Sequence, residues 1–382
     1  MPHIAFNGWF WDQPGTGSGQ YTRNLIDVFC RADPDLKITL ILPESAAIDD
    51  VPEGVALERV GLKGRGHWAK LRFEQIQFPQ TAGRINADLA HVPYWAGPLR
   101  SPIPVVVTVH DLIPLLLPSY QGGLLARTYT GLVAASARGS DAIITDSEAS
   151  RADILEHLKV DPAQVTAIPL AVSSAFSPTS AGVLDMAIRK KYDLPPEYVL
   201  YLGGFDLRKN LNVLLHAFSY VQRGYPIPLV IGGKLPQAIT ARVFDLPRLI
   251  ADYGFEEGDV QLIGWVEEAD KPALYRLATT AVFPSRYEGF GLPVLEAMAS
   301  GVPVVVGDTP ALAELVGGAG FVVSPDNARE LAGAILATIT QPNVAADLKN
   351  KGLTRAKAFD WGRTAGETRL VYDQVLRSAS EH

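Results

Sequence analysis

The chain has 382 residues, of which 47% are hydrophobic and 20% charged, and this composition is that of a folded globular protein, not a disordered one. Its length suits two domains, each large enough to bury its own core. The formal net charge of −7 argues against non-specific nucleic-acid binding, and the single cysteine, Cys30, excludes an internal disulfide and fits a reducing compartment.

The first residues read as a structural strand and not as a targeting segment. His3 to Asn7 is an apolar run that begins almost at the first residue, so no secretory signal is visible. The most apolar window, Ile103 to Leu117, is interrupted by His110, Asp111 and Pro114 and is shorter than the ~20 residues that span a bilayer. We therefore expect a soluble, cytoplasmic protein.

A glycine loop and the start of a helix follow the first strand. Gly17 and Gly19 lie in this loop, and a strand, a glycine loop and a helix start together can bind an anion. The loop does not match the Gly-x-Gly-x-x-Gly pattern of dinucleotide sites, which makes a dinucleotide interpretation weak. A loop that only lets the helix pack closely is the alternative.

Two further stretches of the first half have an ambiguous role. Trp9, Phe10 and Trp11 are consecutive aromatic residues that could belong to the core, to an acceptor platform or to a membrane-facing patch, and all three cannot face inward. The stretch Lys63 to Arg72 mixes basic, glycine and aromatic residues. It suits a phosphate-bearing acceptor or an anionic lipid headgroup, or it is a solvated loop that leads into a helix from Leu71 to Gln77.

The rest of the first half alternates strands with helices. The predicted strands are Lys37 to Leu42, Leu89 to Val92, Val105 to His110, Ala142 to Thr145 and Val165 to Leu170. His110 lies at the carboxyl end of a strand, where open α/β sheets bind ligands, although a lone histidine is by default a buried structural residue. The segment Ala171 to Gly182 is rich in Ser, Ala and Pro and reads as a linker. The domains are therefore predicted at 1–172 and 183–358.

In the second half, two cations follow the first strand. Val199 to Leu202 is the predicted strand, and Arg208 and Lys209 come after it and before a helix. Arginine binds a phosphate oxygen pair by two hydrogen bonds and lysine acts as a point charge, so the pair suits a diphosphate. A solvated helix cap is the alternative.

The stretch Phe283 to Gly301 reads as a strand end, a glycine loop and a helix. Pro293 suits the first helical position and Gly301 the residue just past the helix end. The loop residues are Gly289, Phe290, Gly291 and Leu292. Its glycines let a ligand approach the backbone, and the helix start can hold a diphosphate.

Glu288 and Glu296 flank this loop on its two sides. Each carboxylate should face neutral hydroxyls of a sugar or a ribose, because a carboxylate beside a phosphate is repulsive. An ordinary strand-to-helix turn with two solvated glutamates is the alternative.

Taken together, the segment Glu288 to Val304 resembles the signature of the family-4 retaining glycosyltransferases, and the similarity continues along nearly the whole chain. The resemblance implies the α/β fold called GT-B, in which two Rossmann-like, doubly wound domains face a central cleft. It also implies that a C-terminal helix, about 361–382, packs back on the first domain.

The resemblance also assigns roles to individual residues. Gly17 and Gly19 match a loop that faces the donor diphosphate, and His110 matches a histidine that contacts the donor sugar. The backbone near Val266 matches a contact to the nucleotide base.

In the second half, Glu288 would bind sugar hydroxyls, Glu296 the ribose, and Arg208 and Lys209 the diphosphate. Many members carry an arginine where this chain has Gly204, so Arg208 is expected to replace that contact. The expected catalytic residues are His110, Arg208, Lys209 and Glu288.

The resemblance implies a retaining glycosyltransferase that moves a hexosyl group, with mannose from GDP-mannose as the expected donor, to a glycan or lipid-linked acceptor. We expect no cofactor and no metal site, because Asp33-Pro34-Asp35 reads as a turn and the cations supply the charge. Peripheral contact with the inner membrane face is expected, and nucleic-acid binding is not. The alternatives are a nucleotide-sugar hydrolase or epimerase of the same fold, or a two-domain sugar-binding protein without chemistry.

Overall fold

The computed structural model describes residues 1–48, 50–62, 64, 66–120, 123–179, 181–235, 240 and 242–381. The chain divides into two compact units, which are described separately below. Unit 1 comprises Met1–Leu170 and Asp360–His382, and unit 2 comprises Ala171–Phe359. The segment 171–182, which reads as a linker in the sequence, belongs to unit 2 because it packs there: the Phe176 and Tyr275 rings lie 6.0 Å apart.

Unit 1 contains a seven-stranded parallel sheet in the order β3-β2-β1-β4-β5-β6-β7. Its strands are β1 (His3–Asn7), β2 (Lys37–Pro43), β3 (Ala56–Val60), β4 (Leu89–Val92), β5 (Val105–Thr108), β6 (Ala142–Thr145) and β7 (Val165–Ala167). Its helices up to this point are α1 (Gly17–Ala32), α2 (His67–Arg72), α3 (Phe78–Arg84), α4 (Ile113–Leu116), α5 (Leu124–Arg138) and α6 (Glu148–Leu158). Short 3-10 turns lie at Pro118–Tyr120 and Pro162–Gln164, and a π-helix at Phe73–Gln77.

The central strands of unit 1 are buried on both faces, as the continuous apolar runs of β4, β5 and β6 predict for a parallel sheet covered by helices. Trp9 and Trp11 are buried in two separate core clusters, one on each face of this sheet, and Phe10 packs half-buried beside Trp9. The core interpretation is therefore correct for both tryptophans. An acceptor platform or a membrane patch is wrong for them, because both side chains are buried.

The helix around Lys70 starts at an earlier residue and is longer than predicted. The predicted helix ran from Leu71 to Gln77, whereas the observed helical segment begins with α2 at His67, continues as the π-helix and ends with α3. Trp68 is 79% exposed, whereas Lys70 turns toward Glu74 and three aromatic rings. Lys63 and Arg65 lie outside the described residues.

Unit 2 contains a six-stranded parallel sheet in the order β10-β9-β8-β11-β12-β13. Its strands are β8 (Val199–Leu202), β9 (Leu229–Gly232), β10 (Val260–Gly264), β11 (Thr280–Phe283), β12 (Val304–Gly307) and β13 (Phe321–Val323). Its helices are α7 (Val183–Lys191), α8 (Leu211–Gly224), α9 (Leu246–Asp252), α10 (Lys271–Leu277), α11 (Leu292–Ala299), α12 (Pro310–Val316), α13 (Ala328–Thr340) and α14 (Pro342–Ala356). Short 3-10 turns lie at Leu207–Lys209 and Glu268–Asp270.

Each sheet reverses its strand order at its centre. The reversal falls between β1 and β4 in unit 1 and between β8 and β11 in unit 2. The loops that leave such a pair diverge and open a crevice at the carboxyl ends of the strands, which is where sheets of this kind bind ligands. The predicted α/β fold with two Rossmann-like sheets is confirmed, and the crevice of each sheet is where functional side chains are expected.

The last helix, α15 (Trp361–Ser380), packs on unit 1. Its Tyr372 hydroxyl lies 2.5 Å from His91 Nδ1 in the core, and Arg369 Nε donates to Asp33 Oδ2 at 2.9 Å. No helix within the described ranges has both the length and the apolarity needed to cross a membrane.

Candidate active site

The cations of unit 2 lie at the carboxyl end of β8. Arg208 and Lys209 end a single 3-10 turn, and the next residue, Asn210, has a left-handed backbone with φ of 61°. The Asn210 side-chain amide donates to the carbonyl oxygens of Pro284, at 3.1 Å, and Pro325, at 2.6 Å. Because these prolines follow β11 and β13, one buried side chain fixes three strand-end loops against each other.

Glu288 lies between the two cations. Its Oε2 accepts a hydrogen bond from Arg208 Nη1 at 2.6 Å, and its Oε1 accepts one from Lys209 Nζ at 2.5 Å. The Ser285 hydroxyl donates to Oε1 at 2.7 Å, and Arg208 Nε also lies 3.1 Å from Asp206 Oδ1. The spacing of Glu288 in the sequence predicted contact with hydroxyls of a ligand, and in the structure both carboxylate oxygens contact cations.

The charge state of Glu288 follows from these neighbours. Burial alone would raise the pKa of its carboxyl, but Lys209 and Arg208 outweigh burial and lower the pKa to about 2. Glu288 is therefore ionised near neutral pH. It holds the Arg208 guanidinium and the Lys209 ammonium side by side at the edge of the sheet.

The glycine loop joins β11 to α11. Gly291 has φ of 106°, and an added Cβ would lie 2.5 Å from Leu312 Cδ2, so both backbone and packing require glycine there. Phe290 is buried against the Phe359 ring at 5.8 Å, which leaves its backbone, and not its side chain, available to a ligand. The helix α11 starts at Leu292, so Pro293 is its second residue instead of the predicted first.

Glu296 lies one turn into α11 and is 5% exposed. The Tyr275 hydroxyl donates to its Oε2 at 3.1 Å. Burial raises the pKa of Glu296 to about 7, although Lys271 acts in the opposite direction. Near neutrality this carboxyl is therefore present in both forms, and the ionised form is the stronger acceptor of hydrogen bonds from a diol.

Val266, predicted near a nucleotide base, follows β10. Its side chain is buried, so only its backbone can contact a ligand. The preceding residue, Trp265, is 49% exposed and places an aromatic ring at the same strand end.

His110 of unit 1 lies two residues beyond the end of β5 and is oriented by a carboxylate. Its Nδ1 lies 2.8 Å from Asp146 Oδ2 and 3.1 Å from Oδ1. The Tyr21 ring packs edge-on against the imidazole at 5.1 Å. His110 Nε2 is buried, and no atom of the described residues meets hydrogen-bond geometry with it.

Two effects compete on the pKa of His110. Burial is the largest single effect and lowers it, but the Asp146 carboxylate, together with Asp111 and the Pro93 carbonyl, raises it overall. The imidazole is thus oriented by Asp146 at Nδ1, and the Pro93 carbonyl lies close to the ring. Sequence reasoning missed Asp146, although its position one residue past β6, the neighbour of β5, is a signal that could have identified it.

Gly17 and Gly19, predicted in the loop before the helix, lie where that loop passes into the first turn of α1, and they differ in their surroundings. An added Cβ at Gly19 would lie 2.2 Å from the Gln13 carbonyl oxygen, so the packing alternative explains this glycine. Gly17 has no heavy atom within 4 Å of that position. Open space beside Gly17 is what a ligand contact at this loop requires.

Comparisons with known proteins agree with this architecture. The family described as Glycosyltransferase Family 4 matches residues 15–176, and that described as Glycosyl transferases group 1 matches residues 186–355. The O-antigen chain mannosyltransferase B of Escherichia coli is 32% identical over 270 residues, which are 70% of this chain and 69% of that protein. The serotype-specific mannosyltransferase WbdA of Escherichia coli is 29% identical over 291 residues, 73% of this chain but 34% of WbdA.

A solved structure shows the same fold. Anabaena HepE in complex with UDP-glucose superimposes with a TM-score of 0.73 at 18% identity, and the match covers 100% of both chains. The chain belongs to the group 1 glycosyltransferases of family 4. Within that class, the relatives above place it beside mannosyltransferases, and its two units have the GT-B fold.

Proposed function

We propose that the protein transfers a mannosyl group from GDP-mannose to a glycan or lipid-linked acceptor, with retention of configuration at the anomeric carbon. The observation that carries the proposal is the Arg208–Lys209 pair, which Glu288 fixes at the switch point of the unit 2 sheet. The two mannosyltransferase relatives support the choice of sugar, and the UDP-glucose bound to HepE supports a nucleotide-sugar donor.

The barrier to such a transfer is the separation of an anionic diphosphate from a sugar that develops positive charge. Groups that are already fixed where the negative charge develops lower this barrier most, because they need no reorganisation. Arg208 and Lys209 are fixed in this way by Glu288 and Asp206. We propose that these cations stabilise the leaving diphosphate without a divalent metal, and that the acceptor hydroxyl gives its proton to that phosphate.

The other site residues are assigned to neutral parts of the donor. The buried Glu296 carboxylate accepts hydrogen bonds from the two ribose hydroxyls, and the Val266 backbone contacts the base. The protonated His110 ring donates from Nε2 to a sugar hydroxyl, while Asp146 holds Nδ1. Glu288 acts mainly through the cations, and its negative charge also favours the developing positive charge of the sugar.

The name of the O-antigen chain mannosyltransferase suggests that this protein, too, acts in polysaccharide assembly. In unit 1, Trp68 is 79% exposed on the first turn of α2, beside the exposed side chains of His67 and Arg72. An aromatic ring flanked by basic side chains suits the surface of an anionic bilayer. We therefore include peripheral membrane contact through α2 in the proposal.

The proposal is tested with GDP-mannose, UDP-glucose and UDP-N-acetylglucosamine, each with and without methyl α-D-mannopyranoside or mannobiose, in buffer containing EDTA. Proton NMR of the products reports both transfer and the anomeric configuration. Transfer with an α-linkage from GDP-mannose supports the proposal.

The other outcomes identify the alternatives. Release of the sugar to water alone, despite acceptor, supports a hydrolase, and isomerisation of the donor supports an epimerase. Binding without any product supports a sugar-binding protein. Transfer that disappears in EDTA and returns with magnesium or manganese contradicts metal independence.

A further inference from the structure

A second group of ionisable side chains lies in unit 1, outside the site described above. Lys70 Nζ lies 4.9, 5.2 and 5.9 Å from the ring centroids of Phe10, Tyr94 and Tyr129. It also lies 3.5 Å from Glu74 Oε1, and the Tyr129 hydroxyl donates to Glu74 Oε2 at 3.1 Å. These five residues form what we call the Lys70 cluster.

The carboxyl of this cluster is held in an unusual place. Glu74 is fully buried and lies in the π-helix, a local distortion of helical hydrogen bonding that occurs frequently at functional sites. Burial raises the pKa of Glu74 to about 7, although Lys70, Tyr129 and Tyr94 all act to lower it. Because burial of a carboxyl opposes folding, the fold retains Glu74 against a local penalty in stability.

The Lys70 cluster lies where the unit 1 sheet should bind a ligand. Phe10 follows β1 and Tyr94 follows β4, the two strands between which the strand order reverses. The Tyr94 hydroxyl donates to Asn7 Oδ1 at 3.0 Å. Asn7 is 1% exposed, and its Nδ2 is a buried donor without a hydrogen-bond partner among the residues that the structure describes.

The cluster is partly open to solvent. The Lys70 side chain is 24% exposed, and the Phe10 and Tyr129 rings are half-buried. A ligand can therefore reach the ammonium group and the aromatic faces without displacing the core.

The chemistry of the cluster selects among ligand classes. An anion would have to compete with Glu74 for Lys70 and would meet the electronegative faces of aromatic rings. A lipid chain would remove the remaining water from the Lys70 ammonium, which is unfavourable. A neutral polyhydroxyl ring has neither problem, because its hydroxyls can accept from the ammonium without displacing Glu74 and its apolar face can pack on aromatic rings.

We propose that the Lys70 cluster is a subsite for a neutral pyranose ring of the acceptor. Lys70 donates to the ring hydroxyls, the buried Glu74 carboxylate holds Lys70 in place, and the Phe10 and Tyr129 rings pack on the apolar face. The identification of the ring as part of the acceptor rests on the proposed function, whereas the pyranose binding itself does not.

The test is titration of the methyl α-pyranosides of mannose, glucose, galactose and N-acetylglucosamine into the protein, followed by saturation-transfer NMR at pH 8. The variants are Glu74→Gln, Phe10→Leu and the control Glu58→Gln, which breaks an exposed ion pair with Arg84 in the same unit. At least one pyranoside should bind the wild type. Its Kd should rise roughly tenfold in Glu74→Gln, since Lys70 loses the carboxylate that holds its ammonium, and should rise in Phe10→Leu but not in the control.

The pH dependence of pyranoside affinity tests whether Glu74 acts in binding, because a purely structural role of Glu74 would not make this affinity depend on pH. When the pH falls from 8 to 6, Glu74 becomes protonated and no longer holds Lys70 as a carboxylate, so pyranoside binding should weaken. The charged and titratable groups that face it are Lys70, Tyr94 and Tyr129. In Glu74→Gln the pyranoside affinity should be the same at pH 8 and pH 6. Thermal unfolding of each variant checks that the variant is folded.

The proposal is overturned if no pyranoside binds the wild type, or if affinities in Glu74→Gln and Phe10→Leu equal that of the control. GDP and UDP titrated into the same samples separate this result from the proposed function. Nucleotide binding without pyranoside binding overturns the subsite alone. Absence of nucleotide binding overturns the donor proposal, and the pyranoside titration still decides the subsite.

Discussion

Lys209 Nζ donates to Glu288 Oε1 across 2.5 Å, although the two residues are 79 positions apart in the chain. The contact exists because β8 and β11 are neighbours in a parallel sheet, so the segments that leave their carboxyl ends meet. Arg208 bonds the other carboxylate oxygen. The cations that we assign to the leaving diphosphate are therefore positioned before any donor binds.

Arg208→Ala and Lys209→Ala should each lower turnover, and each should also lower the thermal unfolding midpoint, because it removes an ion-pair partner of the largely buried Glu288 carboxylate. Each variant removes a charge-assisted hydrogen bond of ~1.5–3 kcal/mol to the leaving group, which corresponds to a fall of roughly 10–150-fold. Initial rates at saturating donor measure the effect. The control is Lys351→Ala, which breaks an exposed ion pair of the same unit. If both variants turn over as fast as this control, the cations have no part in the mechanism.

Nucleoside diphosphate affinity should fall as the pH drops from 8 to 6. The pKa of Glu296 is about 7, so at pH 6 most of the population is protonated and has lost the carboxylate that accepts ribose hydroxyls. The loss from this group is at most about tenfold over that range. Calorimetric titration of GDP into wild type and into Glu296→Gln distinguishes the effect of Glu296 protonation from that of protonation of the nucleotide itself. Equal pH dependence in both proteins would remove Glu296 from the site.

Asp146→Asn should lower the pKa of His110 and reduce turnover. The Asp146 carboxylate raises the pKa of His110 in the wild type. In the variant, His110 therefore loses its proton at a lower pH, and activity should begin to fall at that lower pH. The rate against pH and the NMR titration of the His110 ring should show the same shift. If the ring titrates unchanged in Asp146→Asn, the carboxylate does not set the protonation of His110.

Gly17→Ala and Gly19→Ala should separate ligand contact from packing. A Cβ at Gly19 would meet the Gln13 carbonyl at 2.2 Å, and such overpacking destabilises by about 1–3 kcal/mol. A Cβ at Gly17 meets nothing within 4 Å, so that variant should fold normally and lose activity only if a donor approaches there. Thermal unfolding and initial rates of both variants measure the two effects. Full activity in Gly17→Ala would leave this loop without a role in binding.

The strands that were predicted best are short runs that are mostly apolar. Leu89 to Val92, Ala142 to Thr145 and Val199 to Leu202 were predicted with their observed bounds, because each is buried along its whole length and has at most one hydrogen-bonded polar side chain in an apolar run. β3 and β13 were not predicted. β3 is an edge strand with charged, exposed positions, and β13 has three residues, so neither has a clear apolar period.

The contacts between side chains of the site could not be predicted from a single sequence, for a different reason. The strand-end positions of His110, Arg208 and Glu288 could be predicted from local patterns, and the structure has these residues at the carboxyl edges of the sheets. Their partners depend on which strands are neighbours and on rotamers. The His110 contact with Asp146 spans 36 positions, and no local period encodes such a separation.

The most direct test of the donor site compares Glu288→Gln with Glu296→Gln, by titration of free GDP at pH 8 and by turnover with GDP-mannose. Glu296→Gln should weaken GDP roughly tenfold and change turnover little, because the ribose contact is equal in the ground and transition states. Glu288→Gln removes negative charge beside Arg208 and Lys209, so it should bind GDP at least as tightly as wild type and lose turnover. If Glu288→Gln instead loses GDP affinity while Glu296→Gln keeps it, the roles are reversed, and if neither affinity nor rate changes, the carboxyl edge of the unit 2 sheet is not the donor site.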